Sequence, residues 1–272
     1  MLTLDLAMIT HRPEGIVRLA GNMPAPMPGV RYVVSWQEHG GAPVPDEIAC
    51  RPDVEVHRLD ERGLANNRNN AIAHCDADVV LFADDDIAYT REGLLAVVDT
   101  FGRNPDVDVA TFRSVHGDAS RFPACETALE RRLPKGYYVA SVEIAFRRAT
   151  AGMLRCCPEL GLGAPRLHAG EDEMFLMSAI RRGLRCRFFP STICVHRGES
   201  TGTGTSLSDG TLEAFGCVIA LTHPLTAALR VPLKAWRVSR AGAASLPRAL
   251  CRVALGALQA PGVLRRNRAT LW

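Results

Sequence analysis

The first half of the chain alternates short apolar runs with segments of helical spacing, and this alternation limits the fold more than any other feature. Between the third and fourth apolar runs, residues 63–74 carry helix-compatible spacing. The runs that predict buried strands are residues 4–9, 30–35, 54–59 and 78–83. Strands that alternate with helices predict βαβ units, so we expect an α/β fold with a Rossmann-like, mostly parallel sheet flanked by helices.

The second half is less regular. A helix is predicted over residues 91–101, since Asn104 and Pro105 cannot continue it. Further strands are expected at residues 107–112, 140–147 and 186–196, and a helix at 171–182. From about residue 209 the helical pattern becomes basic, which predicts a C-terminal helical extension over residues 209–272.

Composition limits the class of protein. With 272 residues, 47% of them hydrophobic, the chain can bury one substantial core. Nine cysteines lack paired spacings, so neither a zinc site nor a disulfide framework is indicated, and a reducing cytoplasm fits best. No basic N-terminal region precedes a long apolar run, and no stretch of about 20 apolar residues occurs, so we expect no export signal and no spanning helix.

Three consecutive carboxylates, Asp84, Asp85 and Asp86, directly follow the fourth apolar run. Ligands of open α/β sheets bind beyond the carboxyl ends of strands. Adjacent carboxylates repel one another unless a cation lies among them, and Mg²⁺ or Mn²⁺ is commonly held by one or two carboxylates plus substrate phosphates. The alternative is an acidic turn that caps a helix starting near Thr90.

Further polar clusters are candidates for the same site. Glu171 and Asp172 open a helix whose dipole favours carboxylates, and either helix capping or general-base chemistry explains them; capping would leave Glu171 exposed. His196 ends a strand and is either structural or a metal ligand. Arg68 and Asn69 lie in a helix start rich in amides, where an arginine suits phosphate contacts.

Three segments, taken in order, resemble family 2 glycosyltransferases of the GT-A fold, over roughly residues 4–201. They read GLANNRN, then VVLFADDDI, then GEDEMFLMSAIRRG followed by STICVH. The resemblance implies a catalytic region over residues 1–208, with a nucleotide-sugar half (1–115) and an acceptor half (116–208). It also implies transfer of a sugar from a nucleotide-diphosphate sugar, first of all a UDP-sugar, to an acceptor hydroxyl.

The resemblance also assigns roles to residues. It implies that Asp86 and His196 contact a metal, Mg²⁺ or Mn²⁺, and that Asp84 and Asp85 contact the ribose and diphosphate. Asp172 would be the catalytic base, with Glu171 supporting the base or the acceptor. The other donor-binding residues that it implies are Thr10, Arg12, Ser35, Gln37, Arg68 and Asn69.

The mechanism that these roles predict is an inverting single displacement in the synthesis of surface polysaccharide or another glycoconjugate, on a saccharide or lipid-linked saccharide acceptor. Loops at residues 114–132 and 202–208 are long enough to act as acceptor walls or lids. The alternatives are a phosphatase with Asp84 as nucleophile, and a catalytically dead sugar-nucleotide or nucleic-acid binding module. We expect no nucleic-acid partner.

The extension is basic and amphipathic. Residues 214–272 contain nine Arg or Lys and no Asp or Glu. Leu229, Leu233 and Trp236 fall on one helical stripe beside Arg230, Lys234 and Arg237, while Leu246, Leu250 and Val253 form a second apolar stripe with Arg248 and Arg252 turned away. Either the extension packs its apolar side onto the catalytic region, or it docks peripherally on the anionic inner face of the cytoplasmic membrane.

Overall fold

The computed structural model describes residues 2–115, 119–151, 154–196 and 206–271. The chain divides into two compact units. The first contains Met1–Arg62, Asn66–Arg155 and Ala179–Gly198, and the second contains Gly63–Ala65, Cys156–Ser178 and Glu199–Trp272. The second unit is therefore larger than the extension predicted from residue 209 onward, because it also holds residues 156–178.

The first unit is built on a nine-stranded sheet with the order β3-β2-β1-β4-β8-β6-β9-β5, and β7 pairs with β9. Its strands are β1 (Leu4–His11), β2 (Val30–Gln37), β3 (Val54–Leu59), β4 (Val79–Asp84), β5 (Ile87–Tyr89), β6 (Val109–Val115), β7 (Thr127–Leu129), β8 (Ile144–Arg147) and β9 (Cys186–His196). Strands β1 to β4 are parallel, and so is the long pairing of β6 with β9, whereas β8 runs antiparallel between β4 and β6. The predicted α/β class with a mostly parallel sheet is confirmed.

Helices connect these strands. They are α1 (Arg12–Asn22), α2 (Asp46–Ala49), α3 (Leu64–His74), α4 (Arg91–Arg103) and α5 (Arg148–Ala151). Helix α4 shows why such a segment is helical: the Thr90 hydroxyl accepts a hydrogen bond from the Gly93 amide, and Leu94, Val97 and Phe101 form a buried stripe. Central strands β1 and β4 are buried on both faces, as expected for a parallel sheet covered by helices.

The first unit differs from the sequence prediction in several short elements. Helices α1, α2 and α5 and the short strands β5 and β7 were not predicted, and β7 lies within the segment 114–132 that was expected to be a loop. Strand β8 starts four residues later than expected, at Ile144, because Ser141–Glu143 form a 3₁₀ turn. That turn is held by the Glu143 side chain, which accepts a hydrogen bond from the Ala140 amide at 3.0 Å.

The second unit is helical. Helix α6 (Glu171–Arg181) begins in it, followed by α7 (Asp209–Thr222), α8 (Ala227–Arg240), α9 (Leu246–Arg266) and α10 (Arg268–Leu271). Helices α7 and α9 cross at two glycines: a Cβ on Gly216 would collide with the Val253 carbonyl, and one on Gly256 with the Glu213 carbonyl. This close approach buries Val253, Ala260 and Val263.

The predicted arrangement of α9 is corrected in part. Val253 is buried, but Leu246 and Leu250 are exposed, because the small residues of α9 face α7 instead. Arg248 and Arg252 do not turn away: Arg248 Nε lies 2.8 Å from Asp209 Oδ1, and Arg252 Nη2 lies 2.8 Å from Asp209 Oδ2. The extension thus compensates part of its positive charge with acids of α7.

Within the described residues, no single helix is both long and apolar enough to cross a bilayer. The segments Asp209–Thr222 and Pro224–Arg240 pass such a test of length and composition as a pair, with a bend of 114° between them.

Candidate active site

The residues predicted to bind the donor lie where three parallel strands end side by side. Thr10 of β1 pairs with Trp36 of β2, and Ile9 of β1 pairs with Asp84 of β4. The carboxyl ends of β1, β2 and β4 therefore form one edge of the sheet. Ligands of open α/β sheets bind beyond this edge.

Asp85 of the aspartate triplet is held by three side chains. The Thr10 hydroxyl donates to its Oδ2 at 2.6 Å, and the Arg18 guanidinium contacts its Oδ1 through Nε at 3.1 Å and Nη2 at 3.0 Å. Asn22 donates to its backbone carbonyl at 2.9 Å. Burial raises the pKa of Asp85, while the Thr10 hydrogen bond and the Arg18 charge act to lower it. The carboxylate is thus fixed in one orientation at the edge of the sheet.

Asp84 is supported from α3. Arg68 is only 2% exposed, and its Nη2 lies 3.4 Å from Asp84 Oδ1 and also donates to the Ser141 hydroxyl. Burial raises the pKa of Asp84, Arg68 opposes this shift, and the neighbouring charge of Asp86 adds to it. Arg68 contacts Asp84 and can orient that carboxylate, and its predicted contact with the donor stays a prediction.

Asp86 completes the triplet and is partly exposed. In the described part of the chain, no three His, Cys, Asp or Glu side chains are grouped so that they could hold a metal by themselves. A site with one or two carboxylates, completed by phosphates and water, is nevertheless the usual one for Mg²⁺. Desolvation and mutual repulsion raise the pKa values of Asp84 and Asp85, so a cation beside Asp86 would relieve the charge. The donor set therefore fits such an ion.

The predicted histidine ligand is placed only by its backbone. Strand β9 ends at His196, which pairs with Ile87, the residue after Asp86. The His196 side chain lies outside the described residues, as does most of the predicted lid at residues 202–208. Both roles stay predictions.

Ser35 and Gln37 lie at the end of β2, and both are buried. The Ser35 hydroxyl accepts a hydrogen bond from Asn70 Nδ2 at 2.8 Å, and Gln37 Nε2 donates to the Glu61 carbonyl. Their side chains therefore brace the strand end. Asn69 lies on α3 between Arg68 and Asn70 and is partly exposed.

Arg12 and Glu38 follow the ends of β1 and β2 and face each other. Arg12 Nε lies 3.3 Å from Glu38 Oε2, and the Arg12 carbonyl accepts a hydrogen bond from Trp36 Nε1 at 2.9 Å. Among the described residues they alone, apart from glycines, have a positive φ, 61° and 48°. Such conformations are costly and cluster at functional sites. Their position at the ligand-binding edge agrees with that tendency.

The sequence reasoning missed Arg18 and Asn22, because both belong to the unpredicted helix α1. A signal was present: Pro13 follows the strand end and suits a first helical turn, and Ile16 and Leu19 have the spacing of a buried face. The structure shows that both Ile16 and Leu19 are buried. Helix α1 thereby directs Arg18 at the aspartate triplet.

The predicted base and its neighbour lie in the second unit, in the first turn of α6. Gly170 precedes them with φ 89°, and a Cβ there would lie 2.5 Å from Val218 Cγ2, so only glycine fits this approach. Glu171 is buried rather than exposed, because Gly161 packs against its carboxyl group. Asp172 is partly exposed. The helix dipole at this position favours an ionised carboxylate.

A model of glycosyl transferase family 2 matches residues 46–155, which include α3, β4 and the aspartate triplet. The match covers less than half of the 272-residue chain and shows that residues 46–155 are similar to glycosyl transferase family 2. The match supports a glycosyltransferase rather than a phosphatase, and turnover of a donor stays a prediction. No curated protein matches the chain significantly.

Solved structures agree on the fold. The chain is similar to S. aureus TarS 1-349, with a TM-score of 0.59 and 17% identity over 88% of this chain and 71% of that one. TarS 1-349 in complex with UDP-GlcNAc gives a TM-score of 0.57 and 17% identity over 88% and 72%. The longer TarS structure gives 0.60 and 16% over 88% and 43%. At these identities the likeness shows the fold, which is the GT-A fold predicted from the sequence.

Proposed function

We propose that this glycosyltransferase moves a sugar from a nucleotide-diphosphate sugar to an acceptor hydroxyl with inversion, in the synthesis of a surface polysaccharide or related glycoconjugate. The observation that carries the donor assignment is the network around the aspartate triplet, at the strand edge where open α/β sheets bind ligands. Thr10 and Arg18 fix Asp85, and Arg68 fixes Asp84. Carboxylates held this way can accept hydrogen bonds from ribose hydroxyls in one defined geometry.

The donor is proposed to be a UDP-sugar. Support comes from the TarS structures, which have a similar fold and include complexes with UDP and UDP-GlcNAc. In this chain the base and ribose would lie near the ends of β1 and β2, close to Arg12, Ser35, Gln37 and Asn69. The exposed guanidinium of Arg12 is available to the diphosphate or the base.

Divalent metal is common in GT-A glycosyltransferases, and we propose that Asp86 holds Mg²⁺ or Mn²⁺ here, with His196 as a further ligand. When bound, such an ion supplies Lewis-acid neutralisation of the diphosphate. The negative charges of Asp84 and Asp85 attract the ion. The positive charges of Arg68 and Arg18 offset part of the repulsion between these carboxylates.

Asp172 is proposed as the general base. Its carboxylate takes the proton from the acceptor hydroxyl, whose oxygen forms a bond to the anomeric carbon. The bond from that carbon to the diphosphate oxygen breaks on the opposite side, and the nucleoside diphosphate leaves with the electron pair. Configuration inverts in one step, and no covalent sugar-enzyme intermediate forms. Glu171, buried beside Gly161, holds the start of α6 in place for Asp172.

We propose a saccharide or lipid-linked saccharide as acceptor and the cytoplasm, at the inner face of the membrane, as the location. The cysteines support a reducing compartment, since six of the nine are buried and no disulfide links them in the described part of the chain. A lipid-linked acceptor agrees with the basic extension.

Calorimetry with UDP-GlcNAc, with and without Mn²⁺, tests the donor and metal assignments. The wild-type chain should bind the donor more tightly with Mn²⁺, and Asp86→Asn should lose this gain. Asp99→Asn, at a carboxylate that is 65% exposed on α4, is the matched control and should behave as wild type. Undiminished Mn²⁺-dependent binding by Asp86→Asn removes Asp86 from the metal site. If UDP-GlcNAc does not bind, the same titration with other nucleotide sugars identifies the donor.

A further inference from the structure

Helix α8 has two faces of different character. Its inner face buries Ala235 and Val238 in an apolar cluster with residues of α7 and α9. Its outer face exposes large apolar side chains that no part of the described chain covers. These are Leu225, which lies in the 3₁₀ turn Pro224–Thr226 before the helix, and Leu229, Leu233 and Trp236 on the helix itself, with exposures of 99%, 76%, 43% and 45%. The spacing of four and three residues puts Leu229, Leu233 and Trp236 on one helical stripe.

Arginines flank this stripe. Arg230, Arg237 and Arg240 are exposed, and no carboxylate in the described part of the chain pairs with them. The Arg240 guanidinium lies 5.1 Å from the Trp236 ring centre. The other cation of α8, Lys234, turns inward, with Nζ 3.8 Å from the Phe215 ring centre. The charge on the outer face is therefore entirely positive and entirely arginine.

We propose that the outer face of α8, with Leu225, Leu229, Leu233 and Trp236 at its centre and arginines at its border, docks on an anionic lipid surface. A helix of this kind lies in the interface with its apolar side among the acyl chains and its cations at the headgroups. Tryptophan is enriched at that depth because its ring is apolar and its N–H is polar. The outer face of α8 presents the apolar side chains, the cations and the tryptophan together on one helix.

The positive charge on the outer face of α8 favours an anionic lipid surface over a second copy of this chain as its binding partner. An isologous dimer through this face would bring Arg230, Arg237 and Arg240 of two copies together, and residues 214–272 contain no carboxylate to neutralise them. An anionic leaflet attracts the same arginines, and each basic residue close to the surface strengthens binding about fivefold. The apolar stripe and the charge therefore favour the same partner.

Docking through α8 also bears on the proposed base, because Lys234 of α8 and Glu173 of α6 interact electrostatically. The charge of Lys234 acts on Glu173, the residue after the proposed base, and burial raises the pKa of Glu173 while Lys234 lowers it. Helix α8 and the first turn of α6 belong to the same compact unit. If the proposed function holds, docking brings Asp172 close to a lipid-linked acceptor.

Cosedimentation of the full chain with vesicles tests the proposal. Vesicles of equimolar phosphatidylcholine and phosphatidylglycerol should retain the wild-type chain, and pure phosphatidylcholine vesicles should not. Leu229→Asn should weaken retention about tenfold, since a leucine no longer enters the interface. Leu258→Asn is the matched control, because Leu258 on α9 is 78% exposed, close to the 76% of Leu229.

The charge contribution is tested separately. Arg230→Gln with Arg237→Gln should weaken retention about 25-fold, about fivefold for each arginine, and should reduce its dependence on salt. Arg103→Gln with Arg185→Gln, at arginines that are 83% and 68% exposed in the first unit, should have little effect. Donor affinity, measured by calorimetry on the same variants, should stay at the wild-type value, so this test is independent of the donor assignment.

Three outcomes would overturn the proposal: equal retention by the two kinds of vesicle, equal losses for Leu229→Asn and Leu258→Asn, or a wild-type dimer in sedimentation velocity that Leu229→Asn makes monomeric. The last outcome would assign the face to a second copy of the chain.

Discussion

At the scale of single residues, the site depends on carboxylates whose neighbours control their charge. Asp84 and Asp85 are both buried enough for desolvation to raise their pKa values, and each has one arginine that opposes this shift. Arg68 is buried and Arg18 is 48% exposed, so only Arg18 can be replaced without leaving a cavity in the core. Arg18 is therefore the better residue for testing the electrostatics of the site.

Arg18→Gln should shift the pH dependence of donor binding. Wild-type metal-dependent affinity should fall as pH decreases through the raised pKa of Asp85, because a protonated carboxyl accepts the ribose hydrogen bond more weakly than a carboxylate and no longer attracts a cation. Loss of the Arg18 charge raises that pKa further, so the decline should begin at higher pH. Calorimetry at a series of pH values measures it. Arg18→Lys keeps the charge and should follow the wild type; coincident curves for all three proteins would contradict the prediction.

Asp172→Asn should separate binding from chemistry. We expect donor affinity within a few fold of wild type and turnover lower by about a hundredfold or more, the usual scale for loss of a general base. Glu173→Gln is the control, because it also removes a carboxylate from the first turn of α6 and so reports any effect of helix-start charge alone. Turnover of Asp172→Asn close to that of Glu173→Gln would exclude Asp172 as the base.

At the scale of elements, helix α1 lies so close to the side chains of Thr10 and Asp85 that one glycine decides the contact. A Cβ on Gly15 would collide with the Thr10 hydroxyl and lie 2.7 Å from Asp85 Oδ2. The hydrogen bond between these two side chains therefore requires a residue without a side chain on the facing turn of α1. The same helix contains Gly21, around which a Cβ would meet nothing within 4 Å.

Gly15→Ala and Gly21→Ala should therefore have opposite effects on stability. Gly15→Ala should destabilise the chain by about 1–3 kcal/mol, the usual cost of overpacking, and weaken donor binding because Thr10 and Asp85 are pushed apart. Gly21→Ala should stabilise it by up to about 1 kcal/mol, since alanine favours the helix. Thermal melting and calorimetry measure both effects. Equal melting shifts in the two variants would mean that α1 does not approach Asp85 as described.

The elements that could be predicted from sequence are those that have regularly spaced apolar residues within their own segment. Apolar spacing predicted β3 and β9 with the observed bounds, although β3 was expected to be buried and contains no buried residue, and the aspartate triplet was expected at the end of β4. Helix α1 was missed because only Ile16 and Leu19 mark its buried face, and the packing that orders it involves Asp85, far away in the sequence. The burial of Arg68 could not be predicted either, because arginine is rarely buried and the partners of Arg68, Asp84 and Ser141, belong to other elements.

At the scale of the whole molecule, charge is distributed unevenly between the helices of the second unit. Asp209 and Glu213 of α7 bind arginines of α9, and Glu159 binds Arg266 at 2.7 Å. The arginines of α8 have no such partners in the described part of the chain. The acids thus hold the helices of this unit together and leave one basic surface, which agrees with docking through α8.

Glu213→Gln should remove much of the acid sensitivity of this unit. Glu213 is 3% exposed and accepts hydrogen bonds from Arg166 Nε at 2.7 Å, Gln259 Nε2 at 3.0 Å and Arg252 Nη1 at 3.1 Å. Desolvation raises the pKa of Glu213, but the three hydrogen bonds together outweigh it, so the pKa is lowered from its ordinary value of 4.5.

A lowered carboxyl pKa stabilises the folded chain above the unfolded pKa, and this stability is lost as pH falls below about 4.5 toward the folded value. Glu213→Gln should cost about 1–3 kcal/mol at neutral pH, the scale of hydrogen bonds to a charged group, and its stability should change less on acidification. Hydrogen exchange of the α7 and α9 amides between neutral and acid pH measures both quantities. Glu92→Gln, at an exposed carboxylate of α4, should keep the wild-type pH dependence. If Glu213→Gln loses protection in parallel with the wild type as pH falls, other carboxylates control the acid stability of α7 and α9.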